Sequence, residues 1–282
     1  MNKTVTVFDF SGIYEHESFY RSDKGSCFCD ENKGEGLEIR FLDMKDISGT
    51  NCMCDDAAIS RIKEKIAEAD GSVAGEKEAS ADSDSFLNSL HFIDSGNYHY
   101  MSYILLSMIK EPFSLVVFDH HPDMQPPMFG DILSCGGWVQ KVIEDNAYVR
   151  DVHIIGADRE LISKLDEDNV KRVRFYDIED VRRDGLPNTE YPVYLSVDKD
   201  VVRRDELITN WDQGDMGAEE LLSYIGEFIG DPARKLTGVP NRKLIGIDVC
   251  GECAPDQEGI DVDTAIKGND EFNAKVIALF TK

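Results

Sequence analysis

Residues 114–123, SLVVFDHHPD, join an apolar run to a group of aspartate and histidine side chains. The first five residues are almost continuously apolar, which is typical of a parallel strand covered on both faces. Asp119, His121 and Asp123 then follow in an Asp-x-His-x-Asp pattern. Alternate side chains of an extended chain point the same way, so these three can converge on one site while the intervening histidine points elsewhere. Carboxylates and imidazoles bind divalent cations, so the segment predicts a metal site at the end of a buried strand.

Similar apolar or β-branched runs recur along the chain and predict about eight strands. They lie at 4–10, 37–43, 90–94, 114–119, 152–157, 173–178, 193–198 and 243–249. Stretches with helical periodicity lie between them, at 57–69, 98–110, 136–146, 159–169 and 217–229. This alternation predicts a three-layer α/β/α fold around a mostly parallel sheet of about eight strands. We interpret residues 1–282 as one domain and the acidic stretch at 71–85 as a surface loop.

Charge and composition exclude several classes of partner. The formal net charge of -25 argues against nucleic acid and anionic membranes, because binding phosphate requires clustered Lys and Arg. No apolar run approaches the roughly 20 residues of a membrane span, and the first residues lack the apolar core of a signal peptide. Seven cysteines, mostly in close pairs, do not resemble the disulfide framework of a small secreted domain. We therefore predict a cytoplasmic protein with reduced thiols.

Two further segments place polar residues at predicted strand ends. His99 follows the strand at 90–94, and Asp198 and Asp200 end the strand at 193–198. In parallel sheets, ligands bind beyond the carboxyl ends of the strands. Four carboxylates and two imidazoles placed close together would repel one another strongly. Two divalent cations would offset this unfavourable electrostatic free energy. The oxygen-rich set favours two Mn²⁺ ions and leaves Zn²⁺, Fe²⁺ and Co²⁺ open.

With these motifs the chain resembles the ureohydrolases, the family of arginases, agmatinases and formimidoylglutamases. The family's three metal-binding motifs correspond here to residues 96–100 (GNYHY), 119–123 (DHHPD) and 196–200 (SVDKD). All six family ligands are matched. The resemblance implies one metal on His99 and Asp123, a second on His121 and Asp200, and bridging by Asp119 and Asp198. It also implies the arginase-deacetylase type of α/β fold and, as in many ureohydrolases, a homo-oligomer.

A fourth family motif, Asp-x-x-Glu-x-x-Pro, corresponds to residues 248–255 (DVCGECAP), with one extra residue before the glutamate. The resemblance implies that Glu252 binds the substrate guanidinium in a bidentate contact. It also implies hydrolysis of a guanidino C–N bond to urea and an amine by metal-activated water.

The chain departs from the family pattern near the substrate. Cys135 falls near the family's proton-shuttle histidine, Gln125 stands where the family contacts an amino-acid substrate, and Arg203 and Arg204 lie where the family has Asp-Pro. Asp200, Cys135 or solvent is then expected to carry the proton. These departures count against free L-arginine and favour another small-molecule guanidino substrate or an arginine within a peptide.

Two alternatives stay open at this point. A mononuclear zinc amidohydrolase like the zinc-dependent deacetylases would use the same architecture and leave His99 and Asp123 dispensable for metal binding. A non-catalytic metal-binding protein on the same scaffold would bind two ions and release no urea. The Cys250-x-x-Cys253 spacing could also suggest a redox or zinc motif, but no second CxxC or His pair completes it.

Overall fold

The computed structural model describes residues 3–21, 37–71, 89–127, 130–230, 243–254, 257 and 259–282. The strands in these ranges are β1 (Lys3–Asp9), β2 (Leu37–Asp43), β3 (Met53–Cys54), β4 (Leu90–Phe92), β5 (Phe113–Phe118), β6 (Leu133–Ser134), β7 (Val149–Ile155), β8 (Arg174–Tyr176), β9 (Val193–Asp198) and β10 (Leu244–Cys250). Eight of them form a parallel sheet in the order β2-β1-β4-β10-β9-β5-β7-β8, and β3 and β6 form a separate antiparallel ribbon.

The eight predicted strands are all present in the large sheet, within about three residues of the predicted starts. β5 and β9 are buried along their whole lengths, as their continuous apolar sequences predict. The predicted mostly parallel α/β fold is therefore confirmed.

Helices cover both faces of the sheet. They are α1 (Asp56–Ala69), α2 (Met101–Leu106), α3 (Trp138–Asp145), α4 (Arg159–Ser163), α5 (Glu167–Val170), α6 (Ile178–Asp184), α7 (Ala218–Ile229) and α8 (Val262–Thr281). Apolar side chains of α1, α2 and α3 belong to a core on one face. Those of α6, α7 and α8 belong to a second core on the other face. The result is the predicted three-layer arrangement.

Some helices differ from the sequence-based expectation. The predicted helix at 159–169 is two short helices, because Asp158 and Asp166 each accept backbone N–H bonds and begin a new one. The 20-residue α8 was not predicted. Asn269 and Asn273 interrupt its buried apolar face, which hides the helical period in the sequence.

Two other predictions concern the acidic segment and membrane-spanning helices. Apart from Gly71, the acidic segment at 71–85 lies outside the residues that the structure describes. Among the helices in the described ranges, none combines the length and apolar character needed to span a membrane.

The sheet topology positions the candidate site. β4, β10, β9 and β5 are neighbours in the middle of the sheet and run parallel, so their carboxyl ends meet at one edge. Each of these ends carries polar residues that the sequence singled out. The strand order therefore brings together segments that are more than 150 residues apart in the chain.

Candidate metal centre

The loops after β5 and β9 fix their acidic side chains through local backbone bonds. His121 N donates to Asp119 Oδ1 at 2.5 Å, and Asp200 N donates to Asp198 Oδ1 at 2.9 Å. His120 N donates to Asp200 Oδ1 at 3.0 Å and ties one loop to the other. Each of these carboxylates uses its Oδ1 atom on the backbone, so the other oxygen is available to the site.

The six predicted ligands lie together in two overlapping groups. His99 Nδ1 lies 3.2 Å from Asp119 Oδ2, 3.1 Å from Asp123 Oδ2 and 3.5 Å from Asp198 Oδ2. In the second group, His121 Nδ1 lies 2.8 Å from Asp200 Oδ2 and 3.6 Å from Asp119 Oδ1. Ligand atoms of His99, Asp119 and Asp123 lie within 4.8 Å of one another, as do those of Asp119, His121 and Asp200. Asp119 belongs to both groups, as expected of a bridging ligand.

Hydrogen bonding around His99 fits a cation at this place. Ser196 Oγ donates to Asp248 Oδ1 at 2.6 Å, so it accepts from His99 Nε2 at 3.0 Å. When His99 is neutral, as a metal ligand must be, this assignment leaves an unprotonated Nδ1 facing three carboxylates. His99 Nδ1 and Asp119 Oδ2 are both buried without a hydrogen-bond partner. Lone pairs that converge in a buried place, without a donor between them, fit a metal ion.

Electrostatics point the same way. Burial, together with repulsion from the neighbouring carboxylates, raises the pKa of Asp198 to about 7 and that of Asp200 to about 6. Burial by itself would lower the pKa of His121, but hydrogen bonding and charge from Asp119 and Asp200 outweigh it and raise this pKa to about 12. Once fully deprotonated, the four carboxylates and two imidazoles carry a formal charge of about -4, which two divalent cations would neutralise; metal binding would therefore displace the protons that these raised pKa values favour.

Two side chains outside the predicted ligand set contact the ligands. Trp138 Nε1 donates to Asp123 Oδ2 at 2.6 Å, and the Cys250 thiol donates to Asp198 Oδ2 at 3.0 Å. Cys250 Sγ also lies within 4.8 Å of ligand atoms of His99 and Asp198. The sequence hides these contacts because a tryptophan at the start of a helix and a cysteine in a strand both resemble core residues.

A cavity of about 210 Å³ opens beside the two groups. Its wall contains the six ligands together with Cys52, Met53, Gly96, Gln125, Pro126, Ile132, Ser134, Cys135, Gly136 and Trp211. Gln125, the predicted substrate contact, and Cys135, a predicted proton carrier, both lie in this wall. Trp211, which was not predicted, is 39% exposed, and its ring centroid lies 5.9 Å from that of His121.

Glu252 does not lie in this wall as the structure describes it. Its side chain is completely buried, and Lys199 Nζ donates to Glu252 Oε1 at 2.6 Å. Asn273 of α8 donates to the same oxygen at 2.8 Å. The expected role of Glu252 as the guanidinium carboxylate thus finds no support in its position.

The extra residue in the fourth motif explains this position. Gly251 stands where the family motif has its glutamate, with a left-handed φ of 95°. A Cβ atom there would lie 2.5 Å from Asp198 Oδ1 and 2.8 Å from Lys199 N, so no side chain fits. The insertion moves the carboxylate to the next residue, on the side of Lys199.

Arg203 and Arg204 also lie apart from the cavity wall. Arg203 Nε pairs with Asp205 Oδ1 at 3.2 Å, and Arg204 lines a separate surface pocket. Neither arginine therefore lines the metal cavity.

Comparisons with known proteins place the fold. No family model matches the sequence. An uncharacterized protein of Thermotoga maritima is 28% identical over 251 residues, which cover 89% of this chain and 80% of the relative.

Solved structures cover nearly the whole chain at low identity. A hypothetical agmatinase from Burkholderia thailandensis superposes with a TM-score of 0.61 at 17% identity, covering 99% of this chain and 86% of that one. Arginase from Medicago truncatula gives 0.60 at 16% identity, with 99% and 87% covered. Trypanosoma cruzi formiminoglutamase with Mn²⁺ gives 0.58 at 10% identity, with 99% and 93% covered. The resemblance inferred from the motifs is therefore confirmed at the level of the fold: the chain has the ureohydrolase fold shared by agmatinases, arginases and formiminoglutamases.

Proposed function

We propose that the chain is a two-metal hydrolase that cleaves a C–N bond of a guanidino or related amidine group. The observation that carries the proposal is the convergence of all six predicted ligands on the wall of one cavity. His99, Asp119 and Asp123 would hold one ion and His121, Asp119 and Asp200 the other, with Asp198 also within reach of the first. When bound, two divalent ions lower the pKa of water and polarise the group under attack.

Mn²⁺ is the proposed metal. Oxygen ligands dominate the set, and the structure of Trypanosoma cruzi formiminoglutamase, which shares this fold, contains Mn²⁺. The buried thiol of Cys250 beside Asp198 adds a softer atom at the edge of the first group, which keeps Zn²⁺, Fe²⁺ and Co²⁺ open.

The alternative of a mononuclear deacetylase fits the geometry less well. That alternative needs His121 and two of the aspartates but leaves His99 and Asp123 without a metal. Both residues are nevertheless buried, and His99 Nδ1 lies 3.1–3.5 Å from carboxylate oxygens of Asp119, Asp123 and Asp198. Burying these carboxylates together without a cation to compensate their charge would cost free energy.

Substrate recognition must work without Glu252. Among the described residues of the wall, every carboxylate belongs to the proposed ligand set. The exposed indole face of Trp211 offers a cation–π contact to a planar guanidinium, and the Gln125 amide offers a hydrogen-bond acceptor. An arginine side chain within a peptide, or another small guanidino compound, has this chemistry.

Proton transfer needs a group whose pKa is near neutrality. Cys135, one of the three expected proton carriers beside Asp200 and solvent, has a raised pKa because the neighbouring Cys52 thiol and burial both disfavour its thiolate. Hydrogen bonding from Cys135 lowers the pKa of Cys52 to about 7. Cys52, which also lines the cavity, is therefore better suited to carry a proton than Cys135.

A screen for urea and ammonia release tests the proposal. Mn²⁺-loaded protein would be assayed on free arginine, agmatine, guanidino acids and arginine-containing peptides. The Asp198→Asn variant is the negative control, and Glu219→Gln, a surface change, controls for handling. We expect turnover of at least one guanidino compound that Asp198→Asn abolishes; no release across the panel would refute the hydrolase.

The position of Glu252 favours a second candidate, a metal-binding protein without guanidino hydrolysis. Such a protein would bind two Mn²⁺ ions in the same six-ligand set. It would release neither urea nor ammonia from any compound in the panel, so the same screen separates the two candidates.

A further inference from the structure

Cys52 and Cys135 face each other at the edge of the metal cavity. The antiparallel ribbon pairs Met53 with Ser134 and Cys54 with Leu133. Just beyond these pairs, Cys135 N donates to Cys52 O at 2.9 Å, and Cys52 has a left-handed φ of 59°. A side-chain hydrogen bond also joins the Cys135 thiol to the Cys52 sulfur. The two thiols are therefore neighbours.

Both thiols can be reached from the cavity. Cys52 and Cys135 are partly exposed and belong to the cavity wall. The other cysteines in the described ranges are buried. Burial raises the pKa of Cys54 to about 12, whereas the Cys52 thiol, hydrogen-bonded to Cys135, is the more acidic one. Because the thiolate is the nucleophile, Cys52 is the thiol that reacts first.

We propose that Cys52 and Cys135 form a reversible disulfide that closes the ribbon and locks one wall of the metal cavity. The oxidant is a low-molecular-weight disulfide. The Cys52 thiolate attacks one of its sulfur atoms, forms a mixed disulfide and expels the first small thiol. Cys135 then loses its proton and attacks Cys52 Sγ, forms the Cys52–Cys135 bond and expels the second small thiol. Two protein thiols are oxidised, and one small disulfide is reduced to two thiols.

The segment after Cys135 transmits this change to a metal ligand. Gln125 N donates to Gly136 O at 2.8 Å, and Val139 N donates to Asp123 O at 3.0 Å. Trp138 Nε1 donates to the carboxylate of Asp123. A cross-link beside this segment raises the free energy of the local opening that frees Asp123. The disulfide should therefore slow release of the metal.

Peptide mapping tests disulfide formation independently of any enzyme activity. The full chain would be incubated with glutathione disulfide, its remaining thiols alkylated, and tryptic peptides analysed by mass spectrometry. Peptide 46–61 contains Cys52 and Cys54, and peptide 111–141 contains only Cys135. We expect these two peptides to be cross-linked in wild type and Cys54→Ser, and to separate in Cys52→Ser and Cys135→Ser. Cross-linking that persists in Cys52→Ser, or none in wild type, overturns the proposal.

Metal release tests the locking effect, and this second arm rests on the proposed metal centre. Mn²⁺-loaded protein would be mixed with excess chelator in its reduced and oxidised forms. We expect at least threefold slower release from the oxidised form, with no difference in Cys135→Ser. Equal or faster release from the oxidised form overturns the locking effect. A chain that binds no Mn²⁺ in either form, yet forms the cross-link, refutes the proposed function and leaves the disulfide established.

Discussion

The ion pair between Lys199 and Glu252 offers a direct test of how the structure assigns Glu252. Both side chains are completely buried, and Nζ and Oε1 are 2.6 Å apart. A second carboxylate, Glu17, lies nearby; Asn273 Nδ2 donates to Glu252 Oε1 at 2.8 Å and to Glu17 Oε2 at 3.1 Å. The pair thus connects the loop that carries Asp198 and Asp200 to α8.

Replacing Glu252 with Gln removes the charge and keeps the shape. Breaking a buried ion pair on one side costs about 3–5 kcal/mol, because the remaining charge is left uncompensated. Glu17 can partly compensate Lys199, so we expect a loss near the lower limit, about 3 kcal/mol. For a chain of 282 residues, that corresponds to a fall in Tm of roughly 5 °C. The double variant Lys199→Met/Glu252→Gln contains no unpaired lysine and should recover most of the loss.

Urea denaturation in the presence of a chelator measures the free energies of unfolding without a contribution from bound metal. Glu219→Gln is the matched control, because its exposed pair with Lys275 should contribute less than about 1 kcal/mol. If Glu252 instead bound substrate, Glu252→Gln would leave stability unchanged and raise KM for the guanidino compound. A stability change below about 1 kcal/mol in Glu252→Gln would therefore refute the structural role.

Three further perturbations test the site and its surroundings. Burial and repulsion from Glu252 raise the pKa of Glu17 well above its usual value. The stability that this group contributes is therefore lost as pH rises above about 4.5, the pKa of an unperturbed glutamate. In thermal unfolding, Glu17→Gln should be more stable than wild type at pH 8 but not at pH 4.5. Trp138→Phe removes the hydrogen-bond donor to Asp123 Oδ2 and should weaken Mn²⁺ binding by about 10–100-fold, as measured by calorimetry. The control Trp211→Phe should bind Mn²⁺ as tightly as wild type. Equal Mn²⁺ affinities in the two variants would contradict the role of Trp138. Gly251→Ala should destabilise the chain by well over the roughly 1 kcal/mol expected for the control Gly71→Ala. Both glycines have a positive φ, but only at Gly251 do other atoms lie within 4 Å of the added Cβ. Similar losses of stability in the two variants would contradict the close approach of Gly251 to Asp198.

The sequence predicted the sheet and the ligand set because both depend on local signals. β5 and β9 are continuous apolar runs, and each ends in acidic residues at alternate positions. In a parallel sheet these ends lie on one edge, so strand prediction and ligand spacing together place His99, Asp119 and Asp198 near one another.

The position of Glu252 and the contact between Cys52 and Cys135 were not predicted, because both depend on packing between distant segments. Whether Glu252 faces the cavity depends on one inserted residue, Gly251, and on a lysine from the adjacent strand end. The partnership of Cys52 with Cys135 depends on the register of a ribbon whose strands have only two residues each. Neither relation leaves a periodic pattern in the sequence, because both arise from contacts between distant segments.

The metal content of the chain tests the central claim most directly. Purified protein would be stripped of metal, reloaded with Mn²⁺, and analysed by equilibrium dialysis with elemental analysis, in parallel with Asp119→Asn and His99→Ala. The account predicts two Mn²⁺ ions per wild-type chain, loss of both or strong weakening in Asp119→Asn, and loss of one ion in His99→Ala. One ion per wild-type chain, retained in His99→Ala, would contradict the two-metal centre.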